Sequence, residues 1–77
     1  MDEVNLSDAI LECLEHARRE HPHFATGKYE ALGVILAEVE ELIHAVEHES
    51  EGRALNEALD VAVTAIRFAN KEYEHDL

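Results

Sequence analysis

The feature that most constrains the fold is a run of apolar residues that recur at intervals of three and four. This spacing places side chains on one face of an α-helix, because a helix makes a turn about every 3.6 residues. The pattern predicts a helix over residues 28–49 with one apolar stripe. The stripe residues are Leu32, Ile35, Leu36, Val39, Leu42, Ile43 and Val46.

Two further helices are predicted on either side of this one. The first covers residues 6–20, with Asn5 or Ser7 as its N-cap. It ends at His21, because a residue that precedes a proline avoids the α conformation. A loop over residues 21–27 follows, with Phe24 as its large apolar residue.

The third helix is predicted over residues 54–74, after a turn over residues 50–53 in which Gly52 is the expected breaker. A short turn makes the second and third helices antiparallel neighbours. With 77 residues and a single cysteine, Cys13, the chain forms one domain over residues 1–77 without an internal disulfide. A domain this small is marginally stable alone. The predicted fold is therefore all-α: a three-helix antiparallel bundle whose four-helix-bundle-like core is completed by oligomerisation.

The charge balance restricts the partners. The chain has 18 acidic residues against six Lys and Arg, a net charge of −12. Such a surface repels phosphate backbones and anionic lipids, so neither a nucleic-acid polymer nor a membrane is an expected partner. The start of the chain is acidic, unlike a signal peptide, and no apolar run reaches the ~20 residues that span a bilayer. A cytoplasmic protein is expected.

Two pairs of acidic residues interrupt the apolar pattern at the same spacing. Glu38 and Glu41 lie on the second helix, beside the apolar stripe rather than on the polar side that holds Glu40. Glu57 and Asp60 lie on the third helix. Such pairs are usually solvated surface residues. Here they lie on neighbouring antiparallel helices, where four carboxylates would repel each other unless divalent cations were bound.

On the third helix, the acidic pair lies on a narrow polar stripe. Basic residues lie about two turns further along the same stripe. This order suits a metal-bound phosphate chain whose oxygens meet the cations. An exposed stripe with weak ion pairs is the alternative. The stripe residues are Glu57, Asp60, Thr64, Arg67 and Lys71.

The motif Glu38-x-x-Glu41, fifteen residues, then Glu57-x-x-Asp60 resembles the signature of the all-α nucleoside triphosphate pyrophosphohydrolases. This superfamily includes the MazG proteins, the dimeric dUTPases and the phosphoribosyl-ATP pyrophosphohydrolases. The resemblance covers roughly residues 20–72, including LAEVEELIHAV and NEALDVAVTAIRF. The chain departs from the family in having three predicted helices instead of four or five, and in lacking obvious aromatic residues for base recognition.

The resemblance implies that Glu38, Glu41, Glu57 and Asp60 bind Mg²⁺, with Mn²⁺ as the alternative ion. It also implies a reaction, the cleavage of the α–β phosphoanhydride of a nucleotide to give a nucleoside monophosphate and pyrophosphate. Glu41 is the candidate base toward the attacking water. The family builds its clefts in oligomers, so a homodimer or homotetramer is expected.

The candidates for contact with the substrate are inferred from the positions of basic side chains and of one neighbouring amide. They are not part of the family motif. They are Arg67, Lys71, Asn70 and Lys28.

Two other functions are open. One is a dinuclear carboxylate and histidine metal protein, because Glu41-x-x-His44 and Glu72-x-x-His75 have the spacing found in ferritin-like bundles. The other is a non-catalytic helical oligomerisation module.

Overall fold

The computed structural model describes residues 5–74, and within them three α-helices dominate. Helix α1 covers Leu6–Glu20, α2 covers Gly27–His48 and α3 covers Glu51–Ala69. Two short strands, β1 (Ala25–Thr26) and β2 (Tyr73–Glu74), pair in parallel. The all-α fold class is confirmed. No helix in the described part of the chain is long and apolar enough to cross a membrane.

Helix α1 begins and ends where the sequence predicts. The Asn5 side chain accepts a hydrogen bond from the backbone N–H of Asp8 at 3.1 Å, which satisfies one of the free donors of the first turn. At the other end, Arg18 and Arg19 lie in the last turn, where cations interact favourably with the helix dipole. The backbone N–H of His21 donates to the carbonyl of Ala17, which completes the last turn of the helix.

The connection between α2 and α3 is shorter than predicted, and Gly52 is not the breaker. Glu49 and Ser50 alone separate the helices, and both have extended backbones. The Ser50 hydroxyl accepts a hydrogen bond from the backbone N–H of Arg53 at 3.2 Å. Gly52 therefore lies inside the first turn of α3, because the serine N-cap starts the helix before it.

Helix α3 ends at Ala69 instead of continuing to Glu74. Lys71 has a φ of 57°, in the left-handed region, and this reverses the chain. The backbone N–H of Glu72 then bonds to the carbonyl of Arg67 at 2.9 Å. The chain continues into β2, where Tyr73 pairs with Ala25 of β1. The predicted final turn of the third helix is thus replaced by a link to the start of α2.

The chain has a small core. It centres on Phe24, Ala25 and Ala31, with Phe68 and Tyr73 packed against them. The Phe68 and Tyr73 rings lie 5.3 Å apart. Among the described residues, no large side chain has less than 2% of its surface exposed. Helices α2 and α3 form the main pair, and α1 packs on α3.

Candidate metal centre

Three of the four predicted acidic ligands meet between α2 and α3. One carboxylate oxygen each from Glu38, Glu41 and Glu57 lie within 4.8 Å of one another. Glu38 and Glu41 are about one helical turn apart, so they share a side of α2. The two-residue connection brings the first turns of α3, and hence Glu57, level with them. The acidic residues of both helices therefore meet within a single chain.

Two of these carboxylates each have an oxygen without a hydrogen-bond partner. Glu57 is only 8% exposed. Its Oε2 and the Oε2 of Glu38 are both buried, and neither has a hydrogen-bond donor among the described residues. A buried polar atom left unpaired costs about 1–3 kcal/mol, and more when it is charged. These carboxylates are therefore electrostatically unfavourable neighbours, and a bound cation would stabilise them.

The pKa values of the acids reflect this unfavourable environment. Burial, followed by the charge of Glu41, raises the pKa of Glu38 to about 7. Burial also raises the pKa of Glu57, with further contributions from Asp60 and Glu41. For Asp60, burial and the charge of Glu41 raise the pKa, while Arg53 lowers it. The ionised form of each of these carboxyl groups is thus less favourable in the folded protein than in water.

Asp60, the fourth predicted ligand, lies outside the group of three oxygens. It lines an adjacent cleft of about 780 Å³ between α1 and the α2–α3 pair. Glu38, Thr64 and Arg67 line the same cleft, and Phe24 forms part of its apolar wall. Asp60 is close enough to Glu38 and Glu57 to raise the pKa of both. Asp60 is therefore a neighbour of the three clustered carboxylates and not a member of the cluster.

A second cleft, of about 570 Å³, opens on the other side of the acids. Glu41, Glu57 and Arg53 line it. Arg53 Nη2 lies 3.6 Å from Glu57 Oε1, and its Nε donates to Glu49 Oε1 at 3.2 Å. Sequence reasoning missed Arg53 as a neighbour of the site. Its position four residues before Glu57 was the available signal.

Arg67, predicted to contact substrate, is committed to structural contacts. It is 3% exposed. Its Nε donates to Glu72 Oε1 at 3.0 Å, and its Nη2 donates to the carbonyl of His21 at 2.9 Å. The guanidinium lies 4.9 Å from the ring centroid of Phe24, a cation–π distance. Arg18 pairs with the same Glu72 carboxylate. Arg67 thus joins α3, the loop after α1 and the turn before β2.

The other three substrate-contact candidates do not line either cleft. Asn70 caps α3, with its Nδ2 3.5 Å from Glu72 Oε2. The expectation that the polar stripe of α3 continues to Lys71 is wrong, because the helix has already ended. Lys28 is exposed in the first turn of α2, with its Nζ 5.5 Å from the Tyr29 ring centroid.

The structure does not add a histidine to the three clustered carboxylates. His44 is exposed, with its Nε2 3.7 Å from Glu49 Oε2. Its ring lies 4.9 Å from that of His48. No histidine of the described residues belongs to the three-residue group. His75, the second candidate for a dinuclear site, lies outside the described residues.

Comparison with known proteins gives no relative: no family model matches the chain, and neither does a curated protein or a solved structure. A functional conclusion therefore depends on the arrangement of these side chains and on the resemblance of the acidic motif.

Proposed function

We propose that the protein is an Mg²⁺-dependent nucleoside triphosphate pyrophosphohydrolase, which converts a nucleotide to its monophosphate and pyrophosphate. The observation that carries the proposal is the convergence of Glu38, Glu41 and Glu57 within 4.8 Å. Two of the three carboxylates have buried oxygens without a partner among the described residues.

The residues fit this ion by their chemistry. Mg²⁺ prefers oxygen ligands and is usually bound through a few carboxylates together with waters and substrate phosphates. Glu38, Glu41 and Glu57 would supply such oxygens, and Asp60 would hold a coordinated water or a second ion. Mn²⁺ accepts the same donors and is the alternative ion. The absence of a histidine or thiolate in the group disfavours zinc.

In the reaction, water attacks the α-phosphorus. The bond between this phosphorus and the oxygen that bridges it to the β-phosphate breaks. A bound metal supplies charge neutralisation on the phosphates and lowers the pKa of coordinated water. Glu41 accepts the proton of the attacking water, because it is exposed and lines the second cleft. Glu57 is buried and Glu38 is half-buried, so both side chains are more restricted than that of Glu41. Pyrophosphate is the leaving group.

The cleft beside Asp60 is large enough for the nucleoside part of the substrate. The proposal includes a cytoplasmic location and a homodimer or homotetramer. Arg67, Asn70, Lys71 and Lys28 remain predicted substrate contacts. Of these, Arg67 alone lines that cleft, and its present bonds hold the fold together.

The test is to incubate the protein with a panel of ribo- and deoxyribonucleoside triphosphates and Mg²⁺, and to measure pyrophosphate. We expect release from at least one nucleotide, and loss of release in the Glu57→Gln variant. Glu15→Gln is the matched control, because Glu15 is exposed on α1, lines neither cleft and lies outside the three-residue group. Absence of pyrophosphate with every nucleotide would refute the enzyme proposal.

The same samples separate the alternatives. A rise in melting temperature with Mg²⁺ but no hydrolysis would indicate a metal-binding domain without this activity. No response to Mg²⁺ and no hydrolysis would indicate an oligomerisation module. Tight binding of iron or zinc in the purified protein would favour the dinuclear alternative.

A further inference from the structure

Helix α2 exposes an apolar seam that residues 5–74, the described part of the chain, do not cover. The seam residues recur at alternating intervals of three and four, and five of the six belong to the exposed large hydrophobic side chains. They are Tyr29 (80% exposed), Leu32 (47%), Leu36 (53%), Val39 (half-buried), Ile43 (51%) and Val46 (66%).

The spacing of the seam is that of a coiled coil rather than of a helix on a globular core. Intervals of three and four give an average period of about 3.5 residues, which keeps one line of side chains against a second helix. Helices within the chain cover a different face of α2, where Ala31 and Ala45 have no exposed surface. The seam is therefore free for a helix from outside the chain.

We propose that a second copy of this chain covers the seam, with the two α2 helices antiparallel about a two-fold axis. In this register Leu36 meets the partner's Val39, and Leu32 meets the partner's Ile43. Tyr29 then meets the partner's Val46, so the largest side chain lies opposite a small one. Each of the six seam residues thus contacts a seam residue of the other copy. Both copies use the same surface, as a closed two-fold interface requires.

Charge on the flanks of the seam favours the same arrangement. Antiparallel pairing places Lys28 beside the acidic C-terminal end of the partner's α2, which holds Glu47, and Glu40 beside the partner's Gly33, so no acidic residue of α2 faces another across the seam. Parallel pairing would bring the acidic ends of both α2 helices, with Glu47, to one level. It would also align the helix dipoles. Because each chain has a net charge of −12, the arrangement that keeps acidic residues apart is favoured.

The chain as a whole exposes more surface than a compact monomer of its mass. It has 5807 Å² of accessible surface, whereas a compact monomer of this mass has about 4,700 Å². A stable interface removes about 800 Å² from each partner. The excess, taken over the whole chain, is larger than one subunit's share of such an interface. This inference specifies the interface of the proposed oligomer, and its test is independent of hydrolysis.

The experiment is sedimentation equilibrium of the full chain at about 1–100 µM, where dimers of ordinary affinity are populated. We expect the unmodified protein to dimerise and Leu36→Glu to raise the dimer dissociation constant about 100-fold or more, because each dimer then buries two charges. Leu11→Glu is the matched control: Leu11 is 52% exposed but lies on α1. It should leave the dimer intact.

Circular dichroism shows whether the variants fold, and Ile43→Glu provides a second disruption of the seam. A monomeric unmodified protein would overturn the inference, and so would equal losses in the Leu36 and Leu11 variants. Orientation is tested by oxidising cysteine variants and mapping the joined peptides. Tyr29→Cys combined with Val46→Cys should link positions 29 and 46 of different chains. A link between two copies of position 46 would refute the antiparallel register.

Discussion

Replacing Glu38 by glutamine should stabilise the metal-free protein at alkaline pH while abolishing its response to Mg²⁺. The glutamine keeps the shape of the side chain but removes a charge that burial and Glu41 make unfavourable. The same carboxylate belongs to the three-residue group that is proposed to bind Mg²⁺. Stability without metal and affinity for metal should therefore change in opposite directions.

The size of the effect follows from the pKa of Glu38, which rises from 4.5 to about 7 in the folded protein. A pKa raised by folding means that the folded state holds its proton more tightly than the unfolded state. The resulting stability is complete below pH 4.5 and is lost as the pH rises through about 7. At about 1.4 kcal/mol per pH unit, the loss is about 3 kcal/mol at most, and solvent screening of a half-buried group reduces it to about 1–2 kcal/mol.

The assay is urea denaturation at pH 5 and pH 8, with and without Mg²⁺, at one protein concentration. At pH 5, just above the pKa of 4.5 that the carboxyl has when unfolded, Glu38→Gln should exceed the unmodified protein in stability by only a small part of the pH 8 difference. At pH 8 it should be more stable by about 1–2 kcal/mol in the absence of metal. Mg²⁺ should stabilise only the unmodified protein and the Glu15→Gln control. The reasoning fails if the pH 8 advantage is missing, or if Glu15→Gln reproduces it.

Three further predictions concern the fold and are measured by the same denaturation experiments. Arg67→Met should destabilise the chain by about 2–4 kcal/mol, because it leaves the carbonyl of His21 and part of the Glu72 charge without their partner; a loss under 1 kcal/mol would contradict its structural role. Ser50→Ala should cost about 1 kcal/mol by removing the N-cap of α3, and no loss would show the cap to be dispensable. Lys71→Gly should gain about 0.5–1 kcal/mol, because its φ of 57° suits glycine; a loss would mean that the lysine side chain contributes contacts.

Local patterns predicted the helices well where a single segment determined them. The apolar spacing in α2 and the Asn5 cap of α1 are properties of neighbouring residues, and both predictions agree with the structure. The end of α3 was predicted wrongly because it depends on distant residues. Glu72 bonds to Arg67 and to Arg18 of α1, and these contacts favour the turn at Lys71 over another turn of helix.

The candidate site was likewise predicted only in part, and the features that were missed depend on the tertiary structure. The equal spacing of the two acidic pairs indicated that Glu38, Glu41 and Glu57 belong together, and the structure brings them together. The sequence could not place Asp60 outside that group, because its position depends on the rotation of α3 about its axis. The burial of Arg67 was also missed, since a cation on a polar stripe normally faces solvent.

The α2–α3 pair has its polar and apolar faces in an unusual arrangement, with carboxylates between the helices and the seam on the outside. A metal would act on the inner face and a second copy on the outer face, and the two share no side chain. Energetic effects of sites without shared partners usually add. Glu38→Gln should therefore leave the dimer dissociation constant within about twofold, with or without Mg²⁺. A larger shift of the dimer dissociation constant with Mg²⁺ would mean that α2 couples the two faces. Dimerisation would then change the affinity for the metal by the same factor.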